Sequence, residues 1–174
     1  GITGALAETT GQSSISQSLT NTTNSPLDVI YSVTASVGTS PNICTDTFDI
    51  TVTVSPTPTV TVNSPTECEG TAATVTATPG IPGSYDYVWN VPSGPNPGNV
   101  ASFTTTIPGV YSVVITDTVT GCFSTSASGT VTIDPIPTVT VNSPSLCDGA
   151  AATVTASPGV AGSYTYAWIY PSGA

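Results

Sequence analysis

Pro58-Thr-Val-Thr-Val-Asn-Ser-Pro65 decides two things about this chain. Its Thr-Val alternation puts apolar and polar side chains on opposite sides of an extended segment, the period of a half-buried strand. The same eight residues return as Pro137-Thr-Val-Thr-Val-Asn-Ser-Pro144, and the residues after each copy stay in register. Cys68 is matched by Cys147 and Trp89 by Trp168, each 79 residues on (147−68 and 168−89). About two thirds of positions 58–95 recur identically at 137–174, and a fixed period of this size marks a tandem array.

Upstream, Tyr31-Ser-Val-Thr34, Cys44 and Val52-Thr-Val-Ser-Pro56 match Tyr111-Ser-Val-Val114, Cys122 and Val131-Thr-Ile-Asp-Pro135. Residues 1–56 therefore read as the C-terminal half of a related domain. Residues 57–135 form one complete domain, and 136–174 the N-terminal half of a further repeat. The expectation is a window onto a longer repetitive protein.

Strand composition runs throughout. Thr51-Val-Thr-Val54, Thr74-Val-Thr-Ala77 and Gly129-Thr-Val-Thr-Ile133 repeat the alternation in β-branched residues. No apolar pattern of helical period persists, and Pro or Gly interrupts most ten-residue blocks. The fold class is all-β. In the complete domain, strands are predicted near 58–63, 71–78, 84–91, 100–107, 110–117 and 126–133, with turn residues between them, as in an antiparallel sandwich. Parity assigns the buried face to Val60, Val62, Ala73, Val75, Ala77, Tyr85, Tyr87 and Trp89. Phe103, Ile107, Tyr111, Val113, Ile115, Val131 and Ile133 complete it, while Thr and Ser fill most opposite positions.

Charge excludes more than it suggests. The chain has no Lys, Arg or His, and ten unopposed acids give it a net charge of −10. Nucleic-acid binding needs cations against phosphate, so that partner class is excluded. Anionic lipid offers no attraction, and no apolar run is long enough to span a bilayer, so direct membrane insertion is not expected. Serines have no His or Lys to activate them and the carboxylates are scattered, so the chain reads as no enzyme, with no cofactor implied. Disorder is disfavoured by a hydrophobic content of 38%.

A domain of this size has a small core. Cys68 lies just before the second predicted strand and Cys122 just after the Tyr111 strand, which suggests one pole of the sandwich and a structural disulfide. It would close a loop of 54 residues (122−68) and contribute about 4 kcal/mol. By the same matching, Cys44 and Cys147 have their partners outside the window. Ser55-Pro-Thr-Pro58 and Asp134-Pro-Ile-Pro137 form stiff joints between units, so the array is expected to be a semi-rigid rod.

Tyr85-Asp-Tyr-Val-Trp89, then Phe103-Thr-Thr-Thr-Ile-Pro-Gly-Val-Tyr-Ser-Val-Val-Ile-Thr-Asp117, then Thr120-Gly-Cys122 resembles the Ig-like and PKD-like repeats of large Bacteroidetes surface adhesins, including the SprB-like gliding-motility adhesins. Residues 1–31 resemble the PKD-like variant. The resemblance covers essentially the whole chain. It implies export to the outer surface, through the type IX secretion route, and a role in cell adhesion. The implied partners are cell-surface or extracellular glycans or proteins, together with neighbouring repeats of the same chain. The sequence departs from archaeal-type PKD domains in having Asn90-Val-Pro-Ser-Gly94 where they carry Gly-Asp-Gly. It departs from antibody domains too: their second Cys comes two residues after the strand Tyr, and Cys122 comes eleven after Tyr111 (122−111).

Candidate sites are few. Tyr85, Tyr87 and Trp89 share one face of a strand, and Tyr164, Tyr166, Trp168 and Tyr170 repeat the stripe. Such a row either fills the core or stacks on sugar rings, with Tyr85, Trp89 and Tyr170 as candidate glycan contacts. Glu67, Glu69, Asp46, Asp49 and Asp134 form no calcium-loop pattern, and no metal site is expected. Asp117-Thr118-Val119 fits the Asp-Ser/Thr-apolar O-glycosylation motif of the same bacterial group, making Thr118 a candidate site. The leading reading is a non-catalytic stalk segment of a very large secreted adhesin. The alternatives are a carbohydrate-binding module and a subunit of a filament assembled head to tail, with a Cys147–Cys44 bridge between molecules.

Overall fold

A computed structural model describes residues 1–8 and 11–169. It is all-β, with no helix among the described residues. Two short strands, β1 (Ile2–Thr3) and β2 (Thr20–Asn21), pair with each other. A long hairpin comes next, β3 (Leu27–Thr39) against β4 (Asn42–Val54), with Tyr31 opposite Ile50. Residues 57–135, the stretch read as a complete domain, contain β5 (Val60–Val62), β6 (Thr66–Cys68), β7 (Ala73–Pro79), β8 (Tyr85–Asn90), β9 (Ser102–Thr105), β10 (Gly109–Asp117) and β11 (Ala127–Asp134). β12 (Val139–Val141) and β13 (Ala156–Pro158) pair beyond it.

The complete domain is a sandwich of two sheets, one ordered β5-β7-β9 and the other β6-β11-β10-β8. The first strand is split. β5 pairs antiparallel with β7, then the chain crosses to the second sheet, where β6 runs parallel to β11. That order, with its switching first strand, is an Ig-like arrangement. The crossing needs a glycine: a Cβ on Gly129 would lie 2.0 Å from the Asn63 carbonyl oxygen.

The six predicted strands are all present, and β6 is an additional one. The core comprises Val60, Ala73, Val75, Ala77, Trp89, Tyr111, Val113, Ile115 and Val131, all on the faces that alternation assigned. Val62, Tyr85, Tyr87, Phe103 and Ile133 pack against it half-buried. Tyr111, near the start of β10, donates its hydroxyl hydrogen bond back to the Ile107 carbonyl at 2.9 Å, a tyrosine corner. Val113 stands two residues later, where antibody domains carry a core cysteine, so aliphatic packing fills that position.

The structure corrects the cysteine reading. All four cysteines are free thiols. Cys68 pairs beside Asp134, three residues past Val131, which faces Gly109 at the start of β10. The Cys122 carbonyl accepts from the Asp117 amide at the end of β10. Eight residue steps (117−109) separate these ends, roughly 26 Å, whereas a disulfide needs Cα atoms within about 7 Å. The Cys68–Cys122 disulfide is therefore not formed. The reason lies in residues 91–101, which run back across the sandwich between β8 and β9 without being a strand. Counting strands as simple alternations misses that pass and assigns Cys122 to the wrong pole.

Candidate functional site

Trp89 is the residue on which a sugar-binding surface would rest. Its position on β8, between two apolar sheets, leaves it 3% exposed. Phe103 meets it edge-on with centroids 5.0 Å apart, and its indole N–H donates to the Val100 carbonyl at 2.8 Å. A ring so enclosed presents no face to a ligand, so the glycan role for Trp89 is corrected to a core role. Tyr85 is half-buried, its hydroxyl donating to the Ile81 carbonyl at 2.8 Å, and burial is the first cause raising its pKa, with the Asp117 charge second. Tyr170 lies outside the described residues.

Asp117, Thr118 and Val119 form a turn at the end of β10. Thr120 and Val119 both donate backbone N–H bonds to Asp117 Oδ1 at 2.8 Å, and these hold the carboxyl below its usual range. Thr118 is exposed beside this turn, its amide and hydroxyl both directed at the Ser84 carbonyl. Two of the motif's three residues thus face solvent on a defined turn, with Val119 86% exposed.

Without cations, the carboxylates recruit neutral donors. Asp49 accepts from the Ser32 hydroxyl at 2.5 Å, Asp28 from Thr53 at 2.6 Å, and Asp86 from the Asn99 amide at 2.6 Å. Among the described residues, no three acidic or cysteine side chains gather as metal ligands would. Glu67 lies on β6 and Glu69 just after it, whereas Asp46 and Asp49 lie on β4.

Two concavities accompany the complete domain. A cleft of about 650 Å³ lies under the 91–100 crossover, lined by Val91, Pro95, Pro97, Phe103 and Ile107 among others. A smaller one of about 150 Å³ sits at the first joint, where Pro56 and Pro58 meet Pro26, Pro82 and Tyr85. The smaller one brings Tyr85 and Asp117 onto one wall, and Tyr111 lines the larger.

The front repeat shows the aromatic stripe in a different environment. Trp168 is 45% exposed, and Tyr166 is exposed with it. Sequence reading treated the two stripes as equivalent and missed this. Compared with models of known protein families the chain matches none, and comparison with curated proteins finds no significant match.

Proposed function

We propose that this chain is a non-catalytic segment of the stalk of a very large, secreted, adhesive cell-surface protein. The carrying observation is the repeat at a spacing of 79 residues (147−68), about two thirds of its positions identical, joined through Pro-x-Pro segments. The Ig-like sandwich supports the reading, because its aromatic residues are consumed in building the core rather than displayed. Stiff joints and passive domains would hold a distal binding region away from the cell, where it meets extracellular glycans or proteins. The missing Lys and Arg also leave trypsin-like proteases no cleavage site, which suits an exposed stalk. The resemblance to gliding-motility adhesins points to the bacterial outer surface and the type IX route. Thr118 is the residue proposed to carry an O-glycan.

The test is antibody raised against residues 57–135 and applied to intact cells carrying the gene. Surface labelling without permeabilisation, with attachment or gliding lost on deletion, supports the reading. Labelling seen only after permeabilisation sinks it. Intact mass of the exported protein, with and without Thr118→Ala, decides the glycan.

A further inference from the structure

We propose that the split first strand of residues 57–135 is a mechanical clamp, which holds the fold shut when the chain is drawn out along its length. The load it resists comes from the stalk reading, and the clamp itself can be tested apart from it. Tension enters this stretch through Ser55-Pro-Thr-Pro58 and leaves through Asp134-Pro-Ile-Pro137, segments stiffened by alternate prolines. The strand after the first joint and the strand before the second therefore take the pull directly. These are β5 with its continuation β6, and β11.

β6 and β11 run parallel, with Thr66 opposite Thr132, Glu67 opposite Ile133 and Cys68 opposite Asp134. Pulled from those two joints, parallel neighbours slide past each other in opposite directions. Ladder bonds lie across the strands, so sliding loads them all together, whereas peeling a hairpin from its open end breaks them one at a time. The row extends at both ends. The Thr132 amide donates to the Pro65 carbonyl at 3.0 Å, the Glu69 amide to the Asp134 carbonyl at 2.8 Å, and the Thr130 amide to Ser64 Oγ at 3.1 Å.

The other half of the strand is anchored in the same sense. β5 lies antiparallel to β7, Val60 opposite Pro79 and Val62 opposite Ala77, and is drawn along its own axis. At the crossing Asn63 is tied to β7. Its side chain donates to the Thr74 carbonyl at 2.9 Å and accepts from the Thr76 amide at 2.7 Å, and its own amide donates to the Thr76 carbonyl at 3.3 Å. One strand thus grips both sheets, and the sandwich cannot open from it without breaking both rows.

Glu69 separates strength under load from stability at rest. The Thr71 amide donates to the Cys68 carbonyl at 2.9 Å and Gly70 has a φ of +89°, a type II pattern in which Glu69 holds the position that favours proline. Cys68 is already extended, as a residue before proline must be. Glu69→Pro therefore deletes one clamp bond and keeps the turn, and the proline's smaller unfolded-state entropy offsets the lost bond at equilibrium. Forced unfolding follows the unfolding rate instead.

The full chain, reduced and tethered by its two ends at constant force in optical tweezers, tests this. Release of residues 57–135 lengthens the tether by roughly 230 Å, at about 3.4 Å per residue less the folded span. Glu69→Pro should shorten the lifetime under load about fivefold, the factor one net hydrogen bond carries, with its urea midpoint close to wild type. Ser64→Ala removes the acceptor of the Thr130 amide and should also shorten the lifetime, which decides the matter where the proline variant does not fold. Tyr111→Phe loses hydroxyl bonds on β10, neither end of which takes the pull, so it should lower the urea midpoint and leave the lifetime close to wild type. Clamp variants as long-lived as wild type, or a Tyr111→Phe lifetime shortened as much as theirs, would overturn the proposal. Absent surface labelling on cells would remove the stalk reading and leave these lifetimes as they are.

Discussion

Gly129→Ala sets two opposing effects against each other, and the structure decides the sign. Gly129 pairs with Tyr111 in extended β11 and is not among the glycines with positive φ. Alanine is therefore conformationally acceptable there. By its smaller unfolded-state entropy it would stabilise by about 0.4–1 kcal/mol if space allowed. Space does not allow it. The added Cβ would lie 2.0 Å from the Asn63 carbonyl oxygen and 2.9 Å from Val62 Cγ1, so the backbone must move by at least 1 Å to reach even the 3.0 Å limit. Asn63 resists that movement. Its side chain donates to the Thr74 carbonyl at 2.9 Å and accepts from the Thr76 amide at 2.7 Å, and its own amide donates to the Thr76 carbonyl at 3.3 Å. The next residue is tied as well, since Ser64 Oγ accepts from the Thr130 amide at 3.1 Å. Overpacking against such a strand costs about 1–3 kcal/mol, and losing one of these bonds about 1 more.

The clash wins, for a net loss of about 2–3 kcal/mol. In a domain of this size that lowers the melting temperature by about 10–20 °C. Thermal unfolding of the full chain followed by near-ultraviolet circular dichroism reads the buried aromatics of the complete domain. Ser128→Ala, one residue away on the exposed face, serves as the control and should move the midpoint little. A Gly129→Ala midpoint unchanged or raised relative to wild type would refute the packing argument. It would show that the first strand crosses with room to spare.

Tyr111→Phe removes the corner bond to the Ile107 carbonyl and the 2.9 Å contact with the Thr105 hydroxyl. The expected loss is about 1–2 kcal/mol by urea denaturation, and a loss below a few tenths would mean the corner is not structural. Thiol titration under native conditions should find Cys44, Cys68 and Cys147 reacting readily and the half-buried Cys122 more slowly. A Cys68–Cys122 peptide in a non-reducing digest would contradict the topology. Asp117 has a lowered pKa through the Thr120 and Val119 amides, so its stabilisation is present above the unfolded pKa, near 4, and lost as pH falls through the folded value. Asp117→Asn should thus be less stable than wild type at neutral pH, with the gap closing in acid. A gap that persists in acid would assign the effect to something other than the charge.

Strand existence and facing were legible because Thr-Val alternation reports burial directly. Val60, Val75, Val113 and Val131 all fall where parity puts them. β6 was not legible: Thr66-Glu-Cys68 is short and comes directly after a proline, and it is a strand through its pairing with β11. Ser124 was equally hidden. It is buried because its hydroxyl accepts from the Ile115 amide at 3.0 Å, a contact made across a loop that carries no periodic pattern. The cysteine pairing failed for a topological reason, the unlabelled return of residues 91–101. The aromatic stripe could be read as core or as surface from sequence alone. Only the presence of a facing sheet decides it, and that differs between its two editions.

Those two editions separate local from tertiary causes of structure. Asn142 donates to the Thr153 carbonyl at 2.9 Å and accepts from the Thr155 amide at 2.6 Å, repeating the Asn63 clamp. Gly159 donates to the Thr138 carbonyl at 2.8 Å as Gly80 does to Thr59, and Tyr164 reaches the Val160 carbonyl at 2.8 Å as Tyr85 reaches Ile81. The first hairpin and its turn are thus written into about twenty residues and form without a partner sheet. The counterparts of β6 and β8 do not form as strands, although Tyr164-Thr-Tyr-Ala-Trp168 keeps the alternation of Tyr85-Asp-Tyr-Val-Trp89. What they lack is an edge to pair with: β8 exists on β10 and β6 exists on β11.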